Sequence, residues 1–286
     1  MSDNVSVYIP THNRPKLLAR ALESLKKQSY DRIQVLICDD GSSVSYESVY
    51  EEYKKEFSDM QILKNEKPMG ACYSRNALIN IADGTYITGL DDDDEFLPSR
   101  IADFVNAPQL NRYSYLCAGH FTKTKLGLYK QLEAERIINL KSLLNRNIVG
   151  NQIFTKTEML RGIGGFDEKF PAWQDYDVWV RMTCAYGDGF KLSKSNYQWN
   201  IDHEEGRISN SQKAKIGYEM FIEKHKSILN KKNLASLFFQ DKINRNQQIS
   251  FKDLVDNYSN ECLSIFLKYK INKKYPLLKR IIYNAK

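Results

Sequence analysis

The chain carries five consecutive carboxylates, Asp91–Glu95, directly after the strand-like segment Tyr86–Leu90. Adjacent like charges repel one another, by about 2–4 kcal/mol for each close pair at an effective dielectric constant of about 20. The run is therefore either a solvated loop or the site of a divalent cation, for which carboxylate oxygens are the natural ligands. Because an apolar strand and Phe96–Pro98 enclose the run, we favour the metal site.

The N-terminal part of the chain alternates strand-like and helix-like segments. The apolar stretches Val5–Ile9 and Ile33–Cys38 end in the polar loops Pro10–Asn13 and Asp39–Ser42, and the acidic run follows a third such stretch. This alternation predicts an α/β fold with a mainly parallel, Rossmann-like sheet and helices on both faces. Ligands bind beyond the carboxyl ends of such strands, so the polar loops are expected to form one site.

The pattern changes after Pro98. Strand-like segments occur at Tyr113–Ala118, Gly150–Phe154 and Tyr197–Ile201, and apolar spacing predicts a helix over Gln174–Tyr186. Beyond residue 210 the chain is mostly helix-like, with sixteen Lys or Arg against six Asp or Glu, a net charge of +10 in a chain of net charge +7. These differences predict a mildly acidic body over residues 1–210 and a basic helical extension over 211–286.

Composition and missing motifs exclude several classes of protein. With 286 residues, 42% of them hydrophobic, the chain can bury one substantial core. Its five cysteines include no C-x-x-C pair, which predicts reduced thiols in a cytosolic protein. We expect neither a cleaved signal nor a membrane span, since no apolar run approaches about 18 residues. The glycine-rich loops of Rossmann dehydrogenases and P-loop NTPases are absent, and Phe96 replaces the glycine of an EF-hand loop.

Several motifs occur in order along the chain. They are VSVYIPTHNR at Val5–Arg14, ICDDGS at Ile37–Ser42, GTYITGLDDDDEFLP at Gly84–Pro98, GGFD at Gly164–Asp167 and QDYD at Gln174–Asp177. Together they closely resemble the inverting family 2 glycosyltransferases of the GT-A fold, over about residues 4–207. The resemblance implies a catalytic domain over residues 1–210, with a donor half to about residue 98 and an acceptor half over about 99–210. It also implies a nucleotide-sugar donor and a divalent metal, Mn²⁺ or Mg²⁺.

The resemblance assigns roles on the donor side. Asp93 in the D-x-D element is the expected direct metal ligand, and Asp91 and Asp92 are expected to address the metal, its water or the ribose. Asp40 is expected to accept a hydrogen bond from the uracil N–H. The other expected donor contacts are those of the base pocket and of the phosphate or ribose: Pro10, Thr11, Asn13 and Arg75.

The resemblance also assigns roles on the acceptor side. It places the catalytic base at Asp175, beside Gln174, which replaces the Glu common in the family. As general base, Asp175 deprotonates the acceptor hydroxyl, and one displacement converts an α-linked UDP-sugar into a β-glycoside. Trp173 and Tyr176 are candidates for an aromatic platform under an acceptor sugar, although the spacing of Tyr176 also suits the core. His203, after the last predicted strand, is expected to complete the metal shell.

The basic extension bears on the partners of the protein. Lysines there alternate with aromatic and aliphatic residues, and no acid follows Glu261. Such helices lie on anionic membrane surfaces, so we expect a peripheral location on the cytoplasmic face of the bacterial cell membrane, with a helical cap on the body as the alternative. Nucleic acid is not an expected partner, because the acidic body repels phosphates.

The combined prediction is a hexosyltransferase of O-antigen or capsule repeat-unit synthesis. The expected donor is UDP-glucose, then UDP-galactose, and the expected acceptor is a sugar on undecaprenyl diphosphate, such as GlcNAc-diphospho-undecaprenol. A sugar nucleotidyltransferase remains an alternative, although it usually needs a glycine-rich loop that is absent here. A non-catalytic carbohydrate-binding module is the other, and the intact acids Asp91–Asp93 and Asp175 argue against it.

Overall fold

The computed structural model describes residues 3–125, 127–130, 134–150, 152–201 and 212–274. In chain order, the strands are β1 (Val5–Thr11), β2 (Ile33–Asp39), β3 (Met60–Lys64), β4 (Tyr86–Gly89), β5 (Glu95–Phe96), β6 (Tyr115–Thr124), β7 (Gly127–Lys130), β8 (Arg136–Ile138), β9 (Phe154–Lys156) and β10 (Gly189–Asn200). The helices are α1 (Pro15–Lys26), α2 (Glu47–Tyr53), α3 (Ala71–Ile81), α4 (Arg100–Val105), α5 (Leu140–Leu143), α6 (Thr157–Gly162), α7 (Gln174–Tyr186), α8 (Gln212–His225), α9 (Lys231–Asn244), α10 (Phe251–Asp256) and α11 (Asn260–Lys274).

Within these ranges the strands form one ten-stranded sheet. Its main path has the order β3-β2-β1-β4-β9-β6-β10-β5, with β7 paired to β6 and β8 to β10. The first four strands are parallel, whereas β9 is antiparallel to both β4 and β6. The predicted α/β class is confirmed, but parallel pairing dominates only in the half of the sheet that contains the first four strands.

The hydrophobic core lies on both faces of this sheet. Strand β1 is buried along its whole length, and its successive side chains point to opposite faces. Val7 packs with Leu22 of α1 on one face, and Tyr8 packs with Leu78 of α3 and Trp179 of α7 on the other. The predicted covering of both faces by helices follows from this alternation, since a strand buried on two sides reads as a continuous apolar run.

The helices after residue 211 pack on the body and on one another. Phe221 of α8 and Leu237 of α9 belong to the same core cluster as Trp179. The remaining helices form a smaller cluster with α9, built from Ala235, Phe239, Ile249, Leu254, Cys262 and Phe266. The first helices of the basic extension therefore form a cap on the body. No helix in the described part of the chain is long and apolar enough to cross a membrane.

Two strands differ from their predicted positions. The predicted Tyr197–Ile201 strand is the end of the longer β10, whose register shifts twice, between Leu192 and Ser195 and between Ser195 and Tyr197. Such bulges interrupt the two-residue alternation by which a strand is recognised. In place of the predicted Gly150–Phe154 strand, β9 begins at Phe154 and ends at Lys156.

Candidate active site

The polar loops after β1, β2 and β4 meet at one edge of the sheet, which we call the C-terminal edge. Thr11 at the end of β1 donates its hydroxyl hydrogen bond to Asp92 after β4, with an Oγ1–Oδ2 distance of 2.7 Å. The backbone N–H of Asp40, after β2, donates to the Thr11 carbonyl at 2.9 Å. The parallel pairing of these strands thus brings together the loops that carry most of the predicted donor contacts.

The acidic run alternates between partly exposed and buried side chains. The side chains of Asp91, Asp93 and Glu95 are 22%, 24% and 25% exposed, whereas Asp92 and Asp94 are 6% and 1% exposed. Alternate residues of the run therefore face the C-terminal edge, and the acids between them face the protein interior. Asp91 and Asp93 are therefore the acids of the run that can meet a ligand, whereas the partly exposed Glu95 is held by Gln198 and Asn200.

The two buried acids are bound within the protein. Asp92 accepts the Thr11 hydrogen bond and lies 3.3 Å from Nη1 of Arg14, and Asp94 accepts from the Tyr197 hydroxyl at 2.8 Å and the Asn200 N–H at 2.9 Å. Burial raises the pKa of Asp92 to about 7 and that of Asp94 well above its usual range. Both residues stabilise the turn, and Asp92, at 6% exposure, presents little surface for the contact with the metal, its water or the ribose that is expected of it.

A buried arginine links the acidic turn to the predicted base. Arg75 of α3 is 5% exposed. Its Nη2 lies 2.9 Å from Oδ1 of Asp91, and its Nη1 lies 3.8 Å from Oδ1 of Asp175. The guanidinium also sits over the ring of Phe166, 5.1 Å from its centroid. Arg75 is therefore a buried residue, and it links Asp91 of the acidic turn to Asp175, the predicted base.

Asp175 lies in the first turn of α7, as the predicted helix bounds require. Its Oδ1 is buried and accepts no hydrogen bond from the described residues. Burial, together with the negative charge of Asp91, raises the pKa of Asp175 to about 7 against the opposing charge of Arg75. The Asp175 side chain is still 21% exposed, and a partly exposed carboxylate with a raised pKa has the properties of a general base.

The pocket expected to bind the uracil ring of the donor is tightly hydrogen-bonded. The Asp40 carboxylate accepts from the N–H groups of Met69 and Gly70, both at 2.8 Å, and from Asn65 at 2.7 Å. Burial alone would raise the pKa of Asp40, but these donors lower it overall. The Ser74 side chain is a fourth hydrogen-bond partner of this carboxylate, and the contact with a uracil N–H expected of Asp40 stays a prediction.

The other residues expected to contact the uracil ring lie in the same loops. Pro10 and Thr11 are buried, and Asn13 has a left-handed backbone with φ of 57°. The Asn13 side-chain oxygen accepts from the N–H of Ser43 at 2.9 Å. These residues therefore tie the loop after β1 to the loop after β2.

The two aromatic residues expected at the acceptor site differ in accessibility. Tyr176 is 2% exposed, stacks on Phe221 and donates its hydroxyl hydrogen bond to the Leu143 carbonyl. It is a core residue, and that burial is incompatible with a direct sugar contact. Trp173 is partly exposed and remains the candidate platform.

Three contacts of the acidic turn were not found from the sequence. Arg14 lies 3.4 Å from Asp93, and Gln152 donates to Asp91 at 3.1 Å. Asn200 donates to the Asp93 carbonyl at 2.9 Å. Arg14 ends the motif VSVYIPTHNR, which was an available signal for this residue.

The Gln152 side chain passes close to β4 at Gly89, where a side chain would block it. A Cβ atom at Gly89 would lie 2.1 Å from Oε1 of Gln152, well inside contact distance. The glycine therefore permits the approach that brings Gln152 to Asp91.

The residues at the turn fit a divalent cation in part. The described ranges contain no group of three or more His, Cys, Asp or Glu side chains arranged for a metal ion. Asp91 and Asp93 nevertheless present carboxylate oxygens at the C-terminal edge, the donor type that Mg²⁺ and Mn²⁺ favour. The third expected ligand, His203, lies outside the described residues.

Comparison with known proteins defines the family. The model of the Glycosyl transferase family 2 matches residues 6–163, and the chain belongs to this family. WcaA of Escherichia coli (strain K12), a glycosyl transferase whose name assigns it provisionally to colanic acid biosynthesis, is 34% identical over 262 residues, 88% of this chain and 91% of WcaA.

A second relative carries a more specific name. It is WfgD of Escherichia coli, the UDP-Glc:alpha-D-GlcNAc-diphosphoundecaprenol beta-1,3-glucosyltransferase, which is 25% identical over 195 residues, 66% of this chain and 76% of WfgD. Among solved structures, residues 1–349 of TarS from S. aureus in complex with UDP-GlcNAc match with a TM-score of 0.70 at 19% identity, covering 84% of this chain and 73% of that chain. The GT-A fold is therefore confirmed, and the chain is a family 2 glycosyltransferase.

Proposed function

We propose that the protein is an inverting, metal-dependent hexosyltransferase that moves a sugar from a UDP donor to a sugar carried on undecaprenyl diphosphate. The observation that carries the proposal is the pair of Arg75 contacts, which set the Asp175 carboxylate beside the acidic turn. Two similar proteins support the ligand classes: WfgD is named for transfer from UDP-Glc to a diphosphoundecaprenol-linked GlcNAc, and TarS has been solved in complex with UDP-GlcNAc.

Each donor-side residue has one role in this proposal. Asp93 and Asp91, joined by His203, would hold Mn²⁺ or Mg²⁺. The cation, when bound, offsets the negative charge that develops on the departing diphosphate. Asp40 would accept from the uracil N–H, and Pro10, Thr11 and Asn13 would border the uracil ring. Arg75 would meet the donor phosphate or ribose while it orients Asp91.

The acceptor side supplies the base. Asp175 would take the proton of the acceptor hydroxyl as that oxygen bonds to the anomeric carbon, and the bond from this carbon to the diphosphate oxygen breaks on the opposite face. One displacement inverts the configuration, so an α-linked UDP-sugar gives a β-glycoside. Trp173 would stack against the acceptor sugar, as aromatic faces do in sugar sites.

A panel of UDP-sugars with a short-chain GlcNAc-diphospho-lipid tests the function. We expect Mn²⁺-dependent transfer from UDP-glucose, with UDP-galactose as the next candidate, read as the product mass. If no UDP-sugar is transferred or hydrolysed, the protein is a binding module. If it instead makes an NDP-sugar and releases pyrophosphate, it is a nucleotidyltransferase.

The rate of transfer is expected to depend on pH through Asp175. Its pKa is raised to about 7, so the carboxyl group is protonated at lower pH and cannot accept the hydroxyl proton. We expect kcat/KM to fall about tenfold for each pH unit below about 6.5 and to level off above about 8. Initial rates between about pH 5 and pH 9 would measure this limb, and a rate that stays level down to pH 5 would contradict the assignment.

We also propose that helices α10 and α11 dock on an anionic membrane on the cytoplasmic side of the bacterial cell. Five large apolar side chains there are at least 48% exposed, namely Phe251, Val255, Tyr258, Leu267 and Ile271. Nearby lysines, such as Lys252 and Lys268, are exposed as well. Apolar and basic residues together are what an anionic lipid surface binds.

Replacing Phe251, Val255 and Tyr258 by Ser is expected to weaken vesicle binding at least tenfold, because burying each large apolar side chain contributes about 1.5–3 kcal/mol. Co-flotation with vesicles that contain phosphatidylglycerol measures the change. The matched control replaces Val44, Leu128 and Ile137 by Ser, since these are 41%, 52% and 48% exposed elsewhere on the surface. Equal flotation of both triple variants would contradict the docking face.

Point substitutions are the sharper test because truncation would disrupt packing. Removing residues 251–286 would uncover Ala235 and Phe239 of α9, which are 6% and 0% exposed in the intact cluster. A truncated protein would then lose membrane binding and stability together. Serine at exposed positions leaves the cluster in place.

A further inference from the structure

Helix α7 carries a second acid, Asp177, two residues after the proposed base. Its carboxylate is fully buried, at 0% exposure. Three cationic or basic groups surround it: Nε of Arg181 at 2.8 Å, Nζ of Lys224 at 3.0 Å and Nε2 of His225 at 2.9 Å. We call these four residues the Asp177 cluster. Neither the donor contacts nor proton removal by Asp175 uses it.

The cluster keeps Asp177 ionised. Burial alone would raise the pKa of this carboxyl group, but the hydrogen bond from His225 and the charges of Arg181 and Lys224 lower it overall. Removing one partner of a buried ion pair strongly destabilises the folded protein, because the remaining charge is left without compensation. Asp177 is therefore the group on which the other members of the cluster depend.

Through Arg181 the cluster reaches the glycine-rich loop before α7. Nη1 of Arg181 donates to the carbonyl of Ile163 at 2.8 Å, and Nη2 donates to the carbonyl of Gly165 at 2.7 Å. The Arg181 guanidinium therefore donates hydrogen bonds to Asp177 and to two loop carbonyls. Asp177 orients the guanidinium that holds this loop.

Through Lys224 and His225 the cluster reaches helix α8, which supports Trp173. The Trp173 ring lies 5.4 Å from the ring of Tyr218 and 5.5 Å from that of Phe221, both on α8. A Cβ atom at Gly217 would lie 2.4 Å from the carbonyl oxygen of Ala172, so the helix touches the backbone directly before Trp173.

Trp173 itself has an unusual backbone conformation. Its φ is 65°, in the left-handed region that residues other than glycine seldom adopt. Such a conformation costs of the order of 1–3 kcal/mol and persists only where surrounding packing enforces it. Helix α8 supplies that packing.

We propose that Asp177 is a positioning residue for the acceptor site, because it anchors α8 behind Trp173 and, through Arg181, the loop at Ile163–Gly165. The proposal rests on the proposed function, in which Trp173 meets the acceptor sugar. It makes the first helix of the basic extension a working part of the acceptor site. The donor edge at Asp91 and Asp93 shares no member of the cluster.

The test separates acceptor use from donor use. Asp177→Asn is expected to raise the KM for the short-chain GlcNAc-diphospho-lipid at least fivefold. The KM for the UDP-sugar and the slow hydrolysis of the UDP-sugar without acceptor should stay within twofold of the wild type. Asp177→Glu, which restores the charge, should recover part of the acceptor KM.

Asp241→Asn is the matched control. Asp241 of α9 is 2% exposed and pairs with Arg245, which lies four residues later, directly after the helix, with its Nε 3.0 Å away. Both variants should lower Tm, but Asp241→Asn should leave the acceptor KM unchanged. If Asp177→Asn does not fold, Lys224→Gln takes its place, because the Lys224 side chain is 31% exposed. This variant should raise the KM for the acceptor and leave the KM for the UDP-sugar unchanged.

Two results would overturn the positioning role. One is an unchanged acceptor KM in folded Asp177→Asn or in Lys224→Gln. The other is an equal loss of transfer and of donor hydrolysis, which a general loss of structure would produce. Absence of any transfer by the wild type would overturn the proposed function and this inference together, whereas a normal wild type with an unaltered variant would overturn only the inference.

Discussion

Replacing Asp175 by Asn is expected to lower the rate of glycosyl transfer by about 10²–10⁴-fold, the usual contribution of a general base. An amide cannot accept the hydroxyl proton, although it has nearly the same shape as the carboxylate. UDP binding should stay within about twofold of the wild type, because the Asp175 side chain lies beyond Arg75 from the acidic turn. Steady-state transfer rates and calorimetric titration with UDP would measure the two quantities.

The matched control for this variant lies just beyond the other end of the same helix. Asp188 follows α7 and is exposed, so Asp188→Asn removes the same charge from the protein without touching the site. We expect wild-type transfer from the control. If Asp175→Asn retains more than about a tenth of the wild-type rate, Asp175 is not the base.

The second large effect is expected from Asp93→Asn. Loss of this carboxylate should weaken the binding of UDP in the presence of Mn²⁺ by at least about tenfold, or about 1.4 kcal/mol, because an amide oxygen carries no full charge to hold a divalent cation. Transfer should fall by about 10²-fold or more. Titrations with UDP, with and without Mn²⁺, would show whether the variant has lost the metal-dependent part of binding.

Glu95→Gln is the control for Asp93. The two side chains are almost equally exposed, at 25% and 24%. Glu95, however, accepts hydrogen bonds from Gln198 and Asn200, so it belongs to the support of the turn. We expect near wild-type metal dependence from Glu95→Gln. Identical losses in the two variants, or transfer that a chelator does not affect, would contradict the metal assignment.

Much of the N-terminal half could be predicted because its signals are local. Strand β1 and strand β2 are buried along their lengths and appear in the sequence as short apolar runs that end in polar turns. Helix α7 was predicted with its observed bounds, Gln174–Tyr186. The bulges of β10 carry no such signal, because each register shift moves the apolar residues out of alternation.

The division of labour in the acidic run could not be predicted from the run itself. Five adjacent carboxylates look equivalent, and their burial is decided by partners far along the chain. Asp94 is covered by Tyr197 and by the N–H of Asn200, both in β10. Asp92 is covered by Thr11 and Arg14. The sequence favoured Asp93 and Asp91 on resemblance, and the structure places both at the C-terminal edge.

The acceptor side shows a similar limit. Helical spacing left Tyr176 open as either a core residue or a sugar contact, and burial by Phe221 of α8 decides for the core. The change in charge near residue 210 predicted a separate extension, but charge says nothing about packing. Lys224 of α8 forms an ion pair with the buried Asp177. Part of the positive charge of the extension is therefore neutralised by an acid of the body.

The most direct test of the central claim is the anomeric configuration of the first product. The wild-type protein would be incubated with Mn²⁺, an α-linked UDP-hexose that the panel identifies as the donor, and the GlcNAc-diphospho-lipid, and the new linkage would be read by proton NMR. The account predicts a β-glycoside. An α-glycoside would mean retention and would contradict a single displacement with Asp175 as the base.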